Sequence, residues 1–260
     1  MRTLLAQVDA DGEWNAAWIE KLLYLLRKHP SVKFTVGVIV CYFDGTLRVE
    51  DLEERLSLIR EVLRLPNVEP ASHSWSHPMN WADPSGGINL VGARVLDPVK
   101  EIHYSTDFIE QRLTDKKVKV YELTGDCNPS PECLKMICDR GLYAFNGYMY
   151  EDAPYVEIEG CRQYAQRAWA DVWHTGLRKW RVEDGRSVAY VDQPQGYKKV
   201  LSYFAEHPER PVHVYAHVYC AEFRPTFGSV DYVLTEVEKW GLEPLFLSEY
   251  ADKLKPQPLF

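Results

Sequence analysis

Short apolar runs alternate along this chain with stretches whose apolar positions recur at helical spacing. Leu4-Leu5-Ala6-Gln7-Val8 reads as a buried strand, since a strand covered on both faces of a parallel sheet needs a near-continuous apolar run. The period then changes. Trp18, Leu22, Leu25 and Leu26 fall on one helical face, Asn15 offers a cap and Pro30 a stop, which predicts a helix to about His29. Phe34 to Val40 is the next strand, Leu52 to Leu65 a second helix stopped by Pro66, and Val68-Glu69-Pro70-Ala71 a third strand end. Residues 78–97 are irregular. A helix over 99–113, a strand over 118–123, a helix over 130–139 closed by Gly141 and a strand Leu142-Tyr143-Ala144-Phe145 continue the alternation. Residues 148–195, rich in Tyr, Trp and Gly, break it and are predicted as a long excursion over the site. Helix 196–206, strand 211–217, helix 228–240 and a strand Pro244-Leu245-Phe246-Leu247 close the pattern at about seven βα units. Alternation of this kind builds an α/β parallel sheet.

Composition narrows the function classes. At 260 residues and 46% hydrophobic the chain can bury a large core, and residues 1–260 are expected to form a single domain. A net charge of −8 with no dense Lys/Arg cluster argues against a nucleic-acid partner. The basic groups Lys116-Lys117-Val118-Lys119 and Arg178-Lys179-Trp180-Arg181 are short enough to be solvated edges. The longest apolar run, Phe34 to Phe43, is too short for a membrane span, and Met1-Arg2-Thr3 enters the first strand without a secretory pattern. Cysteines at 41, 127, 133, 138, 161 and 220 form no Cys-x-x-Cys pair, which disfavours a zinc ribbon. Cys127, Cys133 and Cys138 are close enough for one local bridge, with free buried thiols an equal reading.

The chemistry enters with Val8-Asp9-Ala10-Asp11-Gly12 and Ser72-His73-Ser74-Trp75-Ser76-His77-Pro78, each following a strand-like run. Side chains at the carboxyl ends of parallel strands gather where α/β folds place their sites. His73 and His77 are four positions apart, so a helical turn would bring both rings to one face. Asp11, His73 and His77 then make a complete set of ligands for a catalytic divalent metal with positions left open, and Asp9 is the spare carboxylate for a base.

These residues resemble the polysaccharide deacetylases of the NodB-homology superfamily, and more closely the deacetylase domain of PelA-type exopolysaccharide proteins. The wider superfamily carries Thr-Phe-Asp-Asp-Gly; here Ala10 precedes Asp11, and the Asp-x-Asp spacing of the PelA-like branch puts the base at Asp9. His73-Ser74-Trp75-Ser76-His77-Pro78 matches the second motif in both histidines. Gly125-Asp126-Cys127-Asn128-Pro129 stands in the third motif's place, without the usual arginine that would orient the base, and assigns Asp126 and Asn128 to substrate binding. Val212-His213-Val214-Tyr215-Ala216-His217 resembles the late Leu-x-His motif, making His217 the general acid.

The resemblance implies a distorted (β/α)7-type barrel and metal-dependent de-N-acetylation of an amino-sugar exopolysaccharide, a GalNAc or GlcNAc polymer, in biofilm polysaccharide modification. Zinc is the first choice of metal, with cobalt, nickel or iron able to take the same ligands. A periplasmic or extracytoplasmic home, excision from a larger protein and association with exopolysaccharide export components are further implications. Trp75, Trp81, Trp173 and Tyr219 are candidate platforms for sugar rings. Three other readings stand beside this one: a catalytically impaired carbohydrate-binding domain, a glycoside hydrolase pairing Asp9 with a second carboxylate, and a two-histidine, one-carboxylate iron oxygenase.

Overall fold

The computed structural model describes residues 1–10, 16–40, 52–78, 97–124, 129–146, 154–165, 178–183, 186–191, 195–218 and 226–254. The alternating pattern yields the elements β1 (Thr3–Ala10), α1 (Ala16–Lys28), β2 (Phe34–Val38), α2 (Leu52–Leu63) and β3 (Val68–Ser72). A helical stretch α3 follows over 99–113, α-helical at Ser105–Phe108 and widened into π turns at Val99–Tyr104 and Ile109–Leu113. Then come β4 (Val120–Glu122), α4 (Pro131–Asp139), β5 (Tyr143–Asn146), β6 (Tyr155–Ile158), β7 (Cys161–Ala165), β8 (Arg178–Glu183) and β9 (Arg186–Val191). The last elements are α5 (Gln195–Glu206), β10 (Val212–His217), α6 (Thr226–Glu238), β11 (Glu243–Leu245) and α7 (Leu247–Lys253).

The main sheet runs β10-β1-β2-β3-β4-β5-β7-β6, with β11 added to β1. Every pairing in it is parallel except β6 with β7. The α/β expectation of a mostly parallel, barrel-like sheet therefore holds, and among the described strands the sheet does not close on itself. The predicted excursion differs from expectation in its first part. Residues 155–165 form a hairpin that extends the sheet through β7 and β5, a short Ile158-Glu159-Gly160-Cys161 turn with Glu159 and Gly160 at positive φ setting the register.

Period-two alternation divides β1 between two environments. Leu4, Ala6, Val8 and Ala10 join the large core formed with Ile19, Leu22 and Leu26 of α1 and Val233 and Leu234 of α6. Leu5 faces the other way, toward Ala71, Val120, Phe145 and Leu247, and Gln7 and Asp9 follow it on the same face. The floor of this inner face is closed by α7, whose first residue, Leu247, was expected as the last of a strand and whose remainder was not expected as a helix. Its entry is fixed by Glu249, whose carboxylate accepts the Phe246 N–H at 3.0 Å. The buried Glu69 carboxylate accepts from Ser248 N–H at 3.2 Å and Oγ at 2.6 Å, and from Thr35 Oγ1 at 2.6 Å. Burial pushes the Glu69 carboxyl up, against those hydrogen bonds.

α4 carries the clearest local signals. Ser130 Oγ caps it by accepting the Cys133 N–H at 3.2 Å, Pro131 occupies its first turn and Gly141 ends it at φ 78°. Cys133, Cys138 and Cys161 carry free thiols, so the Cys133–Cys138 pairing within the expected local bridge is not formed; Cys127 lies outside the described residues. None of the described helices is long and apolar enough to cross a membrane.

Candidate active site

Register brings the chemistry to the carboxyl edge of the sheet. Asp9, near the end of β1, is level with His217 at the end of β10 on one side and with Gly37 of β2 on the other. His73 follows β3 directly, and its N–H donates to the Val38 carbonyl at 3.0 Å. Glu122 ends β4. One donor atom from each of Asp9, His73 and Glu122 lies within 4.8 Å of the others, and all three are buried. His73 Nε2 is 3.4 Å from Asp9 Oδ2.

Glu122 was not among the residues singled out in the sequence. Both its carboxyl oxygens are buried without a hydrogen-bond partner. The space they occupy exists because residue 37 is glycine, where a Cβ would stand 1.9 Å from Glu122 Oε2 and 3.2 Å from His73 Cβ. Burial, then the neighbouring Asp9 carboxylate, pushes the Glu122 carboxyl well above its ordinary value. Asp9 moves oppositely. Burial raises it, but His73, then His217, and the adjoining Glu122 and Tyr215 outweigh that and hold it at about 2. Two neighbouring carboxyls driven apart in this way are the electrostatic pattern of acid–base sites.

The His73 ring is fixed from behind. Its Nδ1 donates to the Glu122 main-chain carbonyl at 3.1 Å, which sets the tautomer and leaves Nε2, on the Asp9 side, to act as a ligand. Burial lowers the His73 pKa, although Asp9 opposes it, and so favours the neutral form that a metal requires. The Asp9 carboxylate, the His73 imidazole and the Glu122 carboxyl, whose Oε2 lies 3.7 Å from His73 Nδ1, are donor types a divalent cation takes.

The helical turn expected at residues 73–77 is not formed. Ser74 and His77 have φ of 76° and 55°, so residues 73–78 form a tight loop rather than a helix. The loop is held by Glu101 of α3, whose carboxylate accepts from Trp75 N–H at 2.8 Å, Ser76 N–H at 2.8 Å and Ser76 Oγ at 2.5 Å. Ser74 Oγ accepts the His77 N–H at 2.9 Å, and Thr124 Oγ1 donates to the Pro78 carbonyl at 2.5 Å. The His73 and His77 rings meet edge to face, centroids 5.3 Å apart, while the donor atoms that gather among the described residues are those of Asp9, His73 and Glu122.

A hydrogen-bonded chain approaches Asp9 from β10. Tyr215 donates its hydroxyl to Asp9 Oδ2 and sits 2.9 Å from His217 Nε2. Gln7 Nε2 donates to Asp9 Oδ1 at 2.9 Å, while Gln7 Oε1 lies 3.1 Å from His213 Nε2. Burial drives His213 down to about 4, against the pull of Asp9, so it is neutral and donates to Gln7. Alternation on β10 would have revealed this group, since His213, Tyr215 and His217 share one face.

Of the remaining expected site residues, Trp75 is half-buried, edge-on to Phe108 at 5.8 Å, with Lys100 Nζ 5.5 Å from its ring centre. Asp11, Trp81, Asp126, Asn128, Trp173 and Tyr219 lie outside the described residues.

The parallel sheet and its flanking helices have the α/β fold found in CE4 polysaccharide deacetylases. Among solved structures the chain is similar to a candidate polysaccharide deacetylase from Mycobacterium smegmatis, at TM-score 0.62 and 16% identity over 94% of this chain and 81% of that one. It is also similar to a CE4 family pseudoenzyme from Bacillus anthracis, at TM-score 0.56 and 14% identity over 95% of this chain. The chain spans only 65% of that pseudoenzyme's length. A GH57-type branching enzyme from Pyrococcus horikoshii aligns at TM-score 0.59 and 12% identity, over 99% of this chain and 71% of that one. Comparison with family models and with curated proteins finds no match to the sequence. At these identities the likeness establishes the fold, and the chemistry has to be argued from the site.

Proposed function

We propose that this protein is a metal-dependent deacetylase that removes acetyl groups from an amino-sugar polymer. The observation that carries the reading is the ionised Asp9 carboxylate 3.4 Å from His73 Nε2, level with His217, at the carboxyl edge of a deacetylase-type sheet. By the sequence motifs His73 and His77, with Asp11, would hold a divalent cation, zinc by first choice; of these, His73 is the one grouped with Asp9 and Glu122, and Asp9 is kept for the base. Such an ion supplies Lewis acidity toward an acetamide carbonyl and lowers the pKa of a nearby water.

The chain's own groups do the rest. Asp9 accepts the proton of the attacking water, whose oxygen bonds to the acetyl carbon. His217 delivers a proton to the amide nitrogen as the C–N bond breaks, releasing acetate and a free amine. Asp126 and Asn128, with Trp81, Trp173 and Tyr219, are proposed to hold the sugar; Trp75 already has Lys100 against its ring. A GalNAc- or GlcNAc-containing exopolysaccharide handled outside the cytoplasm is the finer reading, and the PelA-type motifs support it.

Asp9 and Glu122 favour one second reading, a two-carboxylate glycoside hydrolase or transferase. It leaves His73 and His77 without a task, which is why it ranks second. The deciding experiment is acetate release from N-acetylated hexosamine oligomers by protein stripped with a chelator and reloaded with Zn²⁺ or Co²⁺. Activity that vanishes with the metal and returns with it is expected. Cleavage of glycosidic bonds by stripped protein, or polymer binding with no acetate at any loading, overturns the proposal.

A further inference from the structure

Asp9 is buried, 2% exposed, on a strand whose neighbours offer no arginine or lysine contact to it among the described residues. A carboxylate that accepts a proton during turnover has to be held in one orientation with a lone pair left toward the water, because a misaim of about 1 Å can cost a factor of about 10² in rate. Beside the adjoining Glu122 carboxyl and His73 ring, each Asp9 oxygen receives a neutral donor: Oδ1 from the Gln7 amide, two residues earlier on β1, and Oδ2 from the Tyr215 hydroxyl on β10.

Both donors are themselves fixed. A Gln side chain can be turned end for end, but a carboxylate only accepts, so the Gln7 NH₂ faces Asp9 and its carbonyl oxygen faces His213 Nε2, which donates to it at 3.1 Å. The Tyr215 hydroxyl has one proton. Because an ionised carboxylate can only accept, that proton points to Asp9, and the phenol oxygen must accept from His217 Nε2 at 2.9 Å. Hydrogen bonding therefore fixes both the Asp9 rotamer and the His217 tautomer through one hydroxyl.

We infer that Tyr215 and the His213-supported Gln7 are positioning residues that aim the Asp9 carboxylate and register it against His217. The inference rests on Asp9 and His217 being the base and the acid. Uncharged donors orient the carboxylate through geometry while leaving its charge unpaired by any cation of the chain's own other than the histidines, which suits a group that must take up a proton.

The test compares metal-loaded wild type with Tyr215→Phe, Asp9→Asn and the double variant. Phenylalanine keeps the ring and removes only the hydroxyl. Tyr215→Phe is expected to retain metal by elemental analysis and its melting temperature within a few degrees, to keep KM, and to lose on the order of 10- to 100-fold in kcat for acetate release. On the Asp9→Asn background the same change should cost nothing further, since a group acting through Asp9 has nothing left to aim. Additive losses in the double variant, or unchanged kcat in Tyr215→Phe, overturn the inference. A crystal structure of Tyr215→Phe separates this inference from the proposed function. Should wild type release no acetate, an Asp9 carboxylate turned from its place still supports positioning, and one that has not moved refutes it.

Discussion

Gly37 makes the site possible at the residue scale by having no side chain. The Glu122 carboxyl lies where a Cβ would be, at 1.9 Å from Oε2, and His73 Cβ blocks the other direction at 3.2 Å. Backbone freedom is not the reason for glycine here, because residue 37 is an ordinary strand position; close approach of the Glu122 carboxyl is. Gly37→Ala should therefore lower stability by roughly 1–3 kcal/mol, the usual scale of overpacking in a tight interior. It should also push Glu122 toward Asp9 and His73. Chemical denaturation of Gly37→Ala and of Gly37→Ala/Glu122→Ala checks the cause. The second change should recover part of the loss if the clash with the carboxyl is responsible, and a further loss would show that strain lies elsewhere. Asp9, His73, His77 and His217 were legible at this scale because each stands in a short motif at a strand end. Glu122 was not, since a single Glu in Val120-Tyr121-Glu122-Leu123 reads as half-exposed until register with β5 and β3 shows which face is interior.

At the scale of elements, α3 governs the histidine loop. Its first π-turn segment places Glu101 so that one buried carboxylate satisfies three donors of residues 75–76. Widened helical turns of this kind concentrate at functional positions. Glu101→Gln keeps the bulk but turns an amide NH₂ toward those donors, which should cost about 1–3 kcal/mol of stability. Because the loop holds two residues at positive φ, Ser74 and His77, it has little intrinsic preference for its shape. Zinc affinity by calorimetry should drop by about 10- to 100-fold, the scale for losing a ligand's support. Undiminished affinity in a folded variant would mean that Ser74 Oγ and the Pro78 contact suffice. The sequence placed most elements to within a few residues, because burial on both faces of parallel strands leaves apolar runs bounded by Pro and Gly. It missed α7, where Glu249 turns the chain into a helix after Phe246, and it missed the β6–β7 hairpin. It also expected a helical turn at residues 73–77, since His-x-x-x-His spacing cannot distinguish a helix from a loop anchored by a distant carboxylate.

For the molecule as a whole, the inner face of the sheet sets buried polar groups, Glu69, Gln7, His213, Glu122, His73 and Asp9, beside a smaller apolar cluster around Leu5 and Phe145. Stability must then depend on pH in a direction set by which of these groups folding keeps from its ordinary charge. Glu69, Glu101 and Glu122 are raised, chiefly by burial, so their contribution is fully present below the ordinary value of 4.5 and is lost as pH rises through the folded values. His213 acts oppositely. Burial holds it at about 4 against an ordinary 6.5, so between those values the unfolded chain binds a proton that the folded chain does not. Its contribution is complete above 6.5 and is lost as pH falls toward 4, at roughly 1.4 kcal/mol per pH unit. Replacing it removes that slope. Urea unfolding of metal-free wild type and His213→Gln should show the variant less stable at about pH 7, where Gln7 loses its support, and the gap narrowing by roughly 2–3 kcal/mol by about pH 4.5. Parallel pH profiles would mean that His213 already carries a proton in the folded protein. In that case its ring would donate to Gln7 from a charged imidazole, and burial beneath Asp9 would not be keeping it neutral.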